Sequence, residues 1–473
     1  MASDWSNSGI DLLLERGAGN GLRAGLERAI REAIRSGRLA AGTRLPSTRV
    51  LARDLAVARG TVADAYAQLI AEGYLAGRQG SGTRVAPRTE GAARPSRAAA
   101  HRCWTPSRQP AADFFPGHPD LSAFPRAAWM AATRRVLREA PDDALGYGDP
   151  RGRIELRQAL TGYLGRARGV VTSPDLVVIC SGYAQASSIL SEALRSVGAR
   201  TVAFEHPCLP EPPEVARRHG LRVEYVPVDS SGIKVWGLAA TGADAVVVTP
   251  AHQCPLGVTL SAARRTSLVA WARDRGGLVI EDDYDGEFRY DRQPVGAVQG
   301  LAPEHVAYAG TASKTLAPGL RLAWLAVPPG LLDAVAEAKE RADRQTAVLD
   351  QLVLAGLIGS GEFDRHVRRC RSRYRRRRDR LAAALAEHAP WVRLHGVAAG
   401  IGAFLELPPD RATTEREVLR EAARRSVRLN GLGYFWHLPG DRPQGVVVGY
   451  ATPADHAYEG ALAELVEILK ATA

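Results

Sequence analysis

The sequence contains few cysteines and no long apolar segment. Its five cysteines are scattered and never form a CxxC pair: Cys103, Cys180, Cys208, Cys254 and Cys370. An odd and scattered set favours neither a disulfide framework nor a zinc site. No apolar run approaches the ~20 residues that cross a bilayer, and the first 20 residues lack the charged start and apolar centre of a secretory signal. We therefore expect a cytoplasmic protein that binds neither a metal nor a membrane.

Lysine is also scarce. Of the 62 Lys and Arg residues, the lysines are Lys234, Lys314, Lys339 and Lys470. Arginine stays protonated at ordinary pH, whereas a lysine amine in a partly desolvated pocket can lose its proton and attack a carbonyl carbon. A lysine at position 314 could therefore hold an aldehyde cofactor as a Schiff base, but this residue alone does not establish that role. A chance surface lysine is the alternative that this residue alone leaves open.

The length and the distribution of charge limit the class of protein. A chain of 473 residues is long enough for two or three domains, and 45% hydrophobic with 24% charged residues is typical of a globular protein. The net charge of +11 is uneven, since residues 21–88 contain twelve Arg and five acidic residues. A compact basic region suggests the phosphate backbone of a nucleic acid as partner.

A second arginine-rich segment covers residues 365–380, where ten of sixteen positions are Arg. Apolar residues recur three to seven positions apart around it: Phe363, Val367, Cys370, Tyr374 and Leu381. This spacing predicts one buried stripe on a long helix. We interpret the arginines there as a solvated face and do not assign them to nucleic-acid binding.

Residues 21–86 read as three helices followed by a hairpin. Leu22, Leu26, Ile30 and Ile34 repeat every four residues, which predicts an amphipathic helix. Pro46-Ser47 predicts the start of a second helix, and Thr61 is expected to cap a third. Two helices joined by a tight turn form a helix-turn-helix. The glycine-rich alternation over residues 73–85 predicts a two-stranded wing.

The order of short motifs in this region is more specific than its helices. The motifs are Leu-Pro-Ser-x-Arg-x-Leu-Ala (45–52), Arg-Gly-Thr-Val (59–62), Leu-x-x-Glu-Gly (69–73) and Gly-Ser-Gly-Thr (80–83). This set resembles the GntR-type winged helix-turn-helix domain.

That resemblance implies three groups of DNA contacts. Phosphates would be contacted by Ser47 and Arg49. The major groove would receive Arg59, Gly60 and Thr61. The backbone or minor groove would be reached by Gly80 and Gly82. A merely solvated arginine is the alternative for Arg49.

A proline-containing linker, residues 87–112, separates this domain from a second globular region, residues 113–473. Six apolar β-rich runs alternate there with helical patterns: residues 177–180, 201–204, 245–249, 278–281, 305–308 and 322–327. Such alternation predicts an α/β domain with a large, mainly parallel sheet. A small C-terminal α+β subdomain is expected from about residue 335. Residues 1–20 are interpreted as an N-terminal extension.

Polar residues follow these predicted strands, at the sheet edge where ligands of α/β proteins bind. Gly182, Tyr183 and Ala184 form a turn at a helix start, which offers backbone N–H groups to a phosphate. Asp282 is placed to pair with a protonated pyridine nitrogen, and Tyr284 with a ring hydroxyl. The constrained loop after the third strand would aim Gln253 or His252 at the ring. Solvation or metal binding is the alternative for the acidic loop, although no His or Cys cluster accompanies it.

The fifth strand leads into the segment that contains the lysine. Thr311, Ser313 and Arg321 could anchor a phosphate while Lys314 bonds an aldehyde carbon. The ordered motifs Gly-x-x-Gln, His-Gln-x-Pro-x-Gly, Asp-Asp-Tyr-Asp and Ser-Lys-x-x-x-Pro-Gly-x-Arg resemble the fold-type I aminotransferases, which bind pyridoxal 5'-phosphate (PLP). Together with the N-terminal domain, the chain resembles the MocR branch of GntR regulators, the GabR- and PdxR-like proteins.

This resemblance implies that Lys314 carries the Schiff base, Asp282 pairs with the pyridine nitrogen, and Arg321 holds the phosphate. It also implies that Tyr284 hydrogen-bonds the phenolic oxygen of the cofactor. Tyr147 resembles the tyrosine that reaches the phosphate of a neighbouring subunit. A head-to-tail homodimer with swapped DNA-binding domains, reading two half-sites of a double-stranded operator, is also implied.

The expected carboxylate-binding arginines are missing. The position near the C-terminus is Val447, and the upstream one aligns with Glu211, while the aromatic that covers the ring is replaced by Leu209. Arg217 or Arg289 remains as another source of a carboxylate fork. We therefore expect a regulator that senses PLP itself and controls vitamin B6 supply, with no catalytic residues.

Three alternatives remain open. The effector could be an amine or amino acid that forms an external aldimine with PLP. The chain could be an active aminotransferase with an appended DNA-binding domain. It could also be a GntR repressor whose second domain has lost its cofactor.

Overall fold

The computed structural model describes residues 21–78, 82–87, 110–290, 295–409 and 413–473. The chain divides into two compact units, Met1–Pro106 and Ser107–Ala473. No helix among the described residues is both long and apolar enough to cross a membrane. The expected extension (1–20) and most of the expected linker lie outside the described residues.

The first unit contains three helices and a hairpin. Its elements are α1 (Leu22–Arg35), α2 (Thr48–Asp54), α3 (Arg59–Ala71), β1 (Leu75–Arg78) and β2 (Gly82–Val85). Leu26, Ile30 and Ile34, spaced four residues apart on α1, are buried in one core with Leu69 of α3. The two strands pair antiparallel, with Leu75 opposite Val85. The predicted helix-turn-helix and wing are therefore confirmed.

The two later helices begin differently. The Ser47 hydroxyl accepts a hydrogen bond from the backbone N–H of Val50 at 3.3 Å, so it caps α2. The prediction that Thr61 caps α3 is wrong, because α3 begins at Arg59 and its N-cap is Ala58. Thr61 is instead the third helical residue. Arg59, Gly60 and Thr61 consequently form the first turn of α3, and the Thr61 N–H donates to the carbonyl of Ala58 at 3.0 Å.

The second unit begins with a short strand and a large α/β layer. Its elements are β3 (Ala112–Asp113), α4 (Arg126–Glu139), α5 (Ile154–Arg168), β4 (Val177–Cys180), α6 (Tyr183–Ser196), β5 (Thr201–His206), α7 (Glu211–Arg218), β6 (Arg222–Asp229), β7 (Gly232–Ile233), α8 (Leu238–Thr241), β8 (Ala245–Val248), α9 (Ala262–Arg275), β9 (Leu278–Asp283), β10 (Val306–Thr311), β11 (Ala323–Ala326), α10 (Leu332–Asp343) and α11 (Val348–Gly359).

Eight strands form one sheet in the order β4-β11-β10-β9-β8-β5-β6-β7. Strand β11 runs antiparallel to both neighbours and β7 to β6, whereas the other pairs are parallel. Strands β4, β5 and β10 are buried at every position, which explains their continuous apolar character. The predicted mainly parallel sheet is confirmed, and the C-terminal ends of β4, β5, β8, β9 and β10 meet at one edge.

The C-terminal part consists of a long helix and a smaller sheet. Its elements are α12 (Glu362–His388), β12 (Arg393–Leu394), β13 (Ala403–Glu406), α13 (Glu415–Arg424), β14 (Val427–Arg428), β15 (Asn430–Gly431), β16 (Gly445–Val448) and α14 (Tyr458–Ala471). The sheet order is β12-β13-β16-β15. Strand β14 pairs in parallel with β3, so the first strand of the unit joins its last hundred residues.

Helix α12 connects the two cores of the second unit. Phe363 and Val367 lie in the core beneath the large sheet, whereas Tyr374 and Leu381 lie in the core of the smaller one. The predicted buried stripe is therefore present. Val335 packs in a core of the large sheet, and the subdomain boundary near residue 335 stays a prediction.

Candidate cofactor and DNA-binding sites

A cavity of about 340 Å³ opens at the edge where the parallel strands end. Residues that follow β8, β9 and β10 line it, together with a segment after β3 and residues of the smaller subdomain. A polar site at the carboxyl ends of the strands agrees with the general rule for open α/β sheets.

Lys314 lies in the wall of this cavity. Its Nζ atom donates a hydrogen bond to the carbonyl oxygen of Gly117 at 2.6 Å. Burial lowers the pKa of the Lys314 amine from its ordinary value, and the charge of Asp282 opposes that shift. The amine is thus closer to its neutral, nucleophilic form than a surface lysine is, as the scarcity of lysine predicts.

Asp282 is buried at the end of β9 and faces the same cavity. Burial raises the pKa of its carboxyl to about 7, while a hydrogen bond from Tyr183 and the charge of Lys314 oppose the shift. A carboxyl in this state can exchange a proton with a ring nitrogen near neutral pH. Tyr183, which sequence reasoning assigned to a phosphate turn, is therefore also a neighbour of Asp282.

Tyr284 is oriented by a histidine. Its hydroxyl donates to the backbone carbonyl of His252 at 3.0 Å, and the Nδ1 atom of His252 lies 3.1 Å from that hydroxyl and 3.0 Å from Asp285 Oδ2. These bonds fix the position of the phenol in the cavity wall. Of the two loop residues that sequence reasoning considered, His252 is the one that lines the cavity.

One end of the cavity is built for an anion. The guanidinium of Arg321 donates to the carbonyl of Ser181 at 2.6 Å, and a Cβ atom on Gly182 would lie 2.5 Å from its Nη2 atom. Only a glycine, here with φ +90°, leaves room for this close approach. Arg321 itself has a φ of +53°, a conformation whose cost of about 1–3 kcal/mol is typical of functional sites.

Two hydroxyl groups after β10 lie in the same wall. Thr311 Oγ1 donates to Ser313 Oγ at 2.9 Å and accepts from the Ser313 backbone N–H at 3.1 Å. Both side chains are buried and line the cavity. Hydroxyl donors beside a guanidinium are suited to a phosphate.

The structure places three other predicted residues differently. Ala184 lines the cavity without a polar side chain. The amide of Gln253 donates to the carbonyls of Pro207 and Cys254, each at 2.8 Å, so it holds the loop together and does not line the cavity. Tyr147 is 83% exposed, lies outside the cavity wall and stacks under Arg344.

The wall of the cavity also contains apolar and acidic side chains. Leu209, Glu211 and Val447 line it, and the hydroxyl of Tyr434 donates to Glu211. Among the described residues, Arg321 is the one arginine of the cavity wall. Arg217 donates instead to Tyr225 at 3.0 Å, and Arg289 to Thr259 at 3.0 Å.

Sequence reasoning missed several residues of the cavity. Phe115, Gly117 and His118, in the segment after β3, line the cavity, and burial lowers the pKa of His118. Glu205 and Cys254 also face it. Glu205 near the end of β5 and Cys254 after β8 could have been predicted from their positions at the strand ends. No local pattern marks Gly117 as the hydrogen-bond acceptor for a lysine 197 residues away.

In the first unit, the predicted DNA-contacting residues lie on α2, α3 and the hairpin. Arg49, Arg59 and Gly60 are exposed, and Thr61 is half-buried. Gly82 is exposed at the start of β2 with a φ of +83°, and Gly80 lies outside the described residues. An exposed arginine in the first turn of the second helix of a helix-turn-helix is suited to reading base edges.

Comparison with known proteins gives two family matches. Residues 22–85 match the bacterial regulatory proteins of the gntR family, and residues 118–428 match aminotransferase class I and II. The chain is 33% identical to the probable rhizopine catabolism regulatory protein MocR of Rhizobium meliloti, over 93% of this chain and 92% of that one. It is 30% identical to the pyridoxine biosynthesis transcriptional regulator PdxR of Corynebacterium glutamicum, over 93% and 94%.

A solved structure supports the fold. LysN, the α-aminoadipate aminotransferase of Thermus thermophilus complexed with N-(5'-phosphopyridoxyl)-L-leucine, superposes with a TM-score of 0.68 at 26% identity, over 76% of this chain and 92% of that one. Fold and site together define a DNA-binding protein with a PLP-binding domain of the aminotransferase type. The chain belongs to the MocR/GabR-type regulators of the GntR family.

The residues present fit PLP. The absence of a Cβ atom at Gly182 lets the Arg321 guanidinium lie against the turn in the cavity wall, where it can meet an anion, and a buried carboxyl and an amine of lowered pKa occupy the same cavity. When bound, PLP supplies an aldehyde carbon and an electron-poor pyridine ring.

Proposed function

We propose that this chain is a transcriptional regulator that senses PLP itself and thereby controls the synthesis or salvage of vitamin B6. In this proposal Lys314 bonds the cofactor, Asp282 pairs with its ring nitrogen and Tyr284 with its phenolic oxygen. Arg321, Thr311, Ser313 and the turn at Gly182 hold the phosphate. The observation that carries the proposal is the composition of the cavity, in which Arg321 at the phosphate end is the one arginine among the described residues.

An amino-acid effector or substrate needs a second arginine for its carboxylate. Glu211 and Val447 line the cavity, and a carboxylate placed beside Glu211 would be repelled. The site therefore favours PLP as the ligand that is sensed, and it disfavours turnover of amino acids. The similarity to PdxR, a regulator of pyridoxine biosynthesis, supports the same direction.

PLP can control DNA binding only through different affinities for two states of the protein. We propose that these are two arrangements of a head-to-tail homodimer whose winged domains read two half-sites. Large apolar side chains on α4 and in the segment after it are exposed, which supports such an interface. Their exposed fractions are 50% for Met130, 61% for Leu137 and 64% for Leu145. Tyr147, exposed in the same region, would reach the site of the second subunit.

The proposal is tested with DNA fragments that the full-length protein selects from a random-sequence library. Their affinities are measured at one fixed salt concentration, because phosphate contacts make the affinity depend on salt. PLP should change the DNA affinity by at least about fivefold, the lower range of coupling between sites, or change the DNA footprint. Pyridoxamine 5'-phosphate, which keeps the ring and phosphate but has no aldehyde, is the matched control and should have less effect. Equal DNA binding with and without PLP would exclude B6 sensing.

A second measurement separates this regulator from an aminotransferase. The PLP-loaded protein is mixed with each common amino acid, and the absorbance of the cofactor is followed. A regulator without a carboxylate fork should keep the aldehyde form. Rapid conversion to the amine form by any amino acid would show that the domain is an enzyme.

A further inference from the structure

Helix α12 carries a row of arginines that the cofactor site does not use. On a helix of 3.6 residues per turn, Arg365, Arg368, Arg369 and Arg376 fall on one face, opposite the buried residues such as Val367 and Tyr374. We call these four residues the arginine stripe. All four are exposed. The stripe spans about 17 Å, since each residue adds about 1.5 Å.

Three other arginines of α12 have partners outside the helix. Arg371 donates to the carbonyl of Glu287 at 2.8 Å, and Arg377, 2% exposed, donates to Asp120 at 2.8 Å. Arg373 lies 3.4 Å from Asp455. These residues hold the helix to the rest of the unit.

The stripe itself is mostly unpaired. Arg365 pairs with Glu362 at 2.8 Å. Arg368, Arg369 and Arg376 make no hydrogen bond or ion pair with any residue that the structure describes. Guanidinium groups along one face of a helix repel one another, although Arg369 is attracted to Glu362 and Arg376 to Asp455. They form a fixed positive surface that can accept an extended polyanion.

The chemistry of the stripe distinguishes duplex DNA from a membrane. Over Glu362–His388, all of which the structure describes, no large apolar side chain is exposed, whereas a helix that lies on a membrane needs an apolar face. Each DNA strand carries one phosphate for about every 3.4 Å of helix axis, so a row of about 17 Å is long enough to face several phosphates. The family of the first unit already supplies a DNA ligand.

We propose that the arginine stripe binds the phosphate backbone of duplex DNA, as a second electrostatic contact in addition to the winged helix-turn-helix. This contact adds affinity and salt dependence but carries no base specificity. The proposal does not depend on which small molecule the cavity senses.

The test measures the salt dependence of DNA affinity for the full chain and a variant with Arg368→Gln, Arg369→Gln and Arg376→Gln. The probe is a random-sequence duplex of about 40 base pairs, roughly four helical turns. Each lost phosphate contact lowers the slope of log K against log salt by about 0.9, so three contacts lower it by about 2.7. Between about 50 and 200 mM salt, the unmodified chain should then lose about 40-fold more affinity than the variant does.

Two controls keep the result specific. A variant with Arg275→Gln, Arg416→Gln and Arg420→Gln removes the same charge from exposed positions on α9 and α13 and should keep the slope of the unmodified chain. The variant with Arg368→Lys, Arg369→Lys and Arg376→Lys keeps point charges at the stripe and should also keep that slope. The proposal is overturned if the Gln variant of the stripe keeps the original slope, or if both Gln variants lower it equally.

Discussion

Replacing Gly182 by alanine tests the anion end of the cavity most sharply. A Cβ atom at this position would lie 2.5 Å from Nη2 and 2.6 Å from Cζ of Arg321. The guanidinium must therefore move away from the place where it would bind a phosphate. The backbone at φ +90° adds strain, because residues other than glycine rarely adopt it.

The size of the effect follows from the bond that is lost. A hydrogen bond to a charged group contributes about 1.5–3 kcal/mol, so Gly182→Ala should weaken PLP binding by about 10- to 100-fold. The measurement is a titration of cofactor absorbance. Gly319→Ala is the matched control, since Gly319 lies two residues from Arg321 and no atom lies within 4 Å of the Cβ position. Unchanged PLP affinity in Gly182→Ala would refute the assignment of Arg321 to the phosphate.

Three further predictions follow from other contacts. The buried carboxylate of Asp283 accepts from Arg168 Nε at 2.6 Å, and Arg168→Met leaves Tyr308 as its remaining partner. Urea unfolding should therefore show that the free energy of unfolding falls by about 3–5 kcal/mol. The exposed control Arg275→Met should not cause this loss. Burial raises the pKa of Glu205 from 4.5 to about 7, so the folded state holds this proton more tightly than the unfolded state does, and stability falls as pH rises between those values. In the PLP-free protein, the variant Glu205→Gln should lose less stability over this pH range than the unmodified chain does. An unchanged dependence of stability on pH would contradict this prediction. In the first unit, Arg59→Ala should relax the DNA sequence preference, with a loss of about 1–3 kcal/mol of binding free energy per base contact. Arg49→Ala should instead lower the slope of log K against log salt by about 0.9 and leave the sequence preference unchanged. The reverse pattern, measured on selected DNA, would exchange the roles assigned to the two arginines.

The sequence predicted the architecture and much of the cavity because both follow from local patterns. Buried parallel strands are continuously apolar, and the residues directly after them must meet at one edge, which is why Asp282, Thr311 and Lys314 could be grouped in advance. The loop residue Gln253 could not be placed, since its orientation depends on the carbonyl of Pro207, 46 positions away. The start of α3 was misplaced because Thr61 is a good capping residue, yet the backbone turns into the helix at Arg59.

Contacts between segments far apart in the sequence could not be predicted from local patterns. The strand at Ala112–Asp113 pairs with Val427–Arg428, and no periodicity within either segment indicates this partner. The same pairing carries the segment with Gly117 to the cavity, where its carbonyl meets the lysine. The apolar stripe of α12 is continuous across two cores, so no local pattern within the helix marks where one core ends and the other begins.

The central claim is that Lys314 holds a signal that changes DNA binding. The most direct test compares the affinity of the full chain and of its Lys314→Ala variant for the same selected DNA, at one fixed salt concentration, with and without PLP. The variant keeps Arg321, Asp282 and Tyr284 in the cavity wall and loses the lysine amine together with the methylene groups that carry it. We predict that PLP changes the DNA affinity of the unmodified chain and leaves that of the variant unchanged. An equal response of both proteins to PLP, or no response of either, would contradict the account.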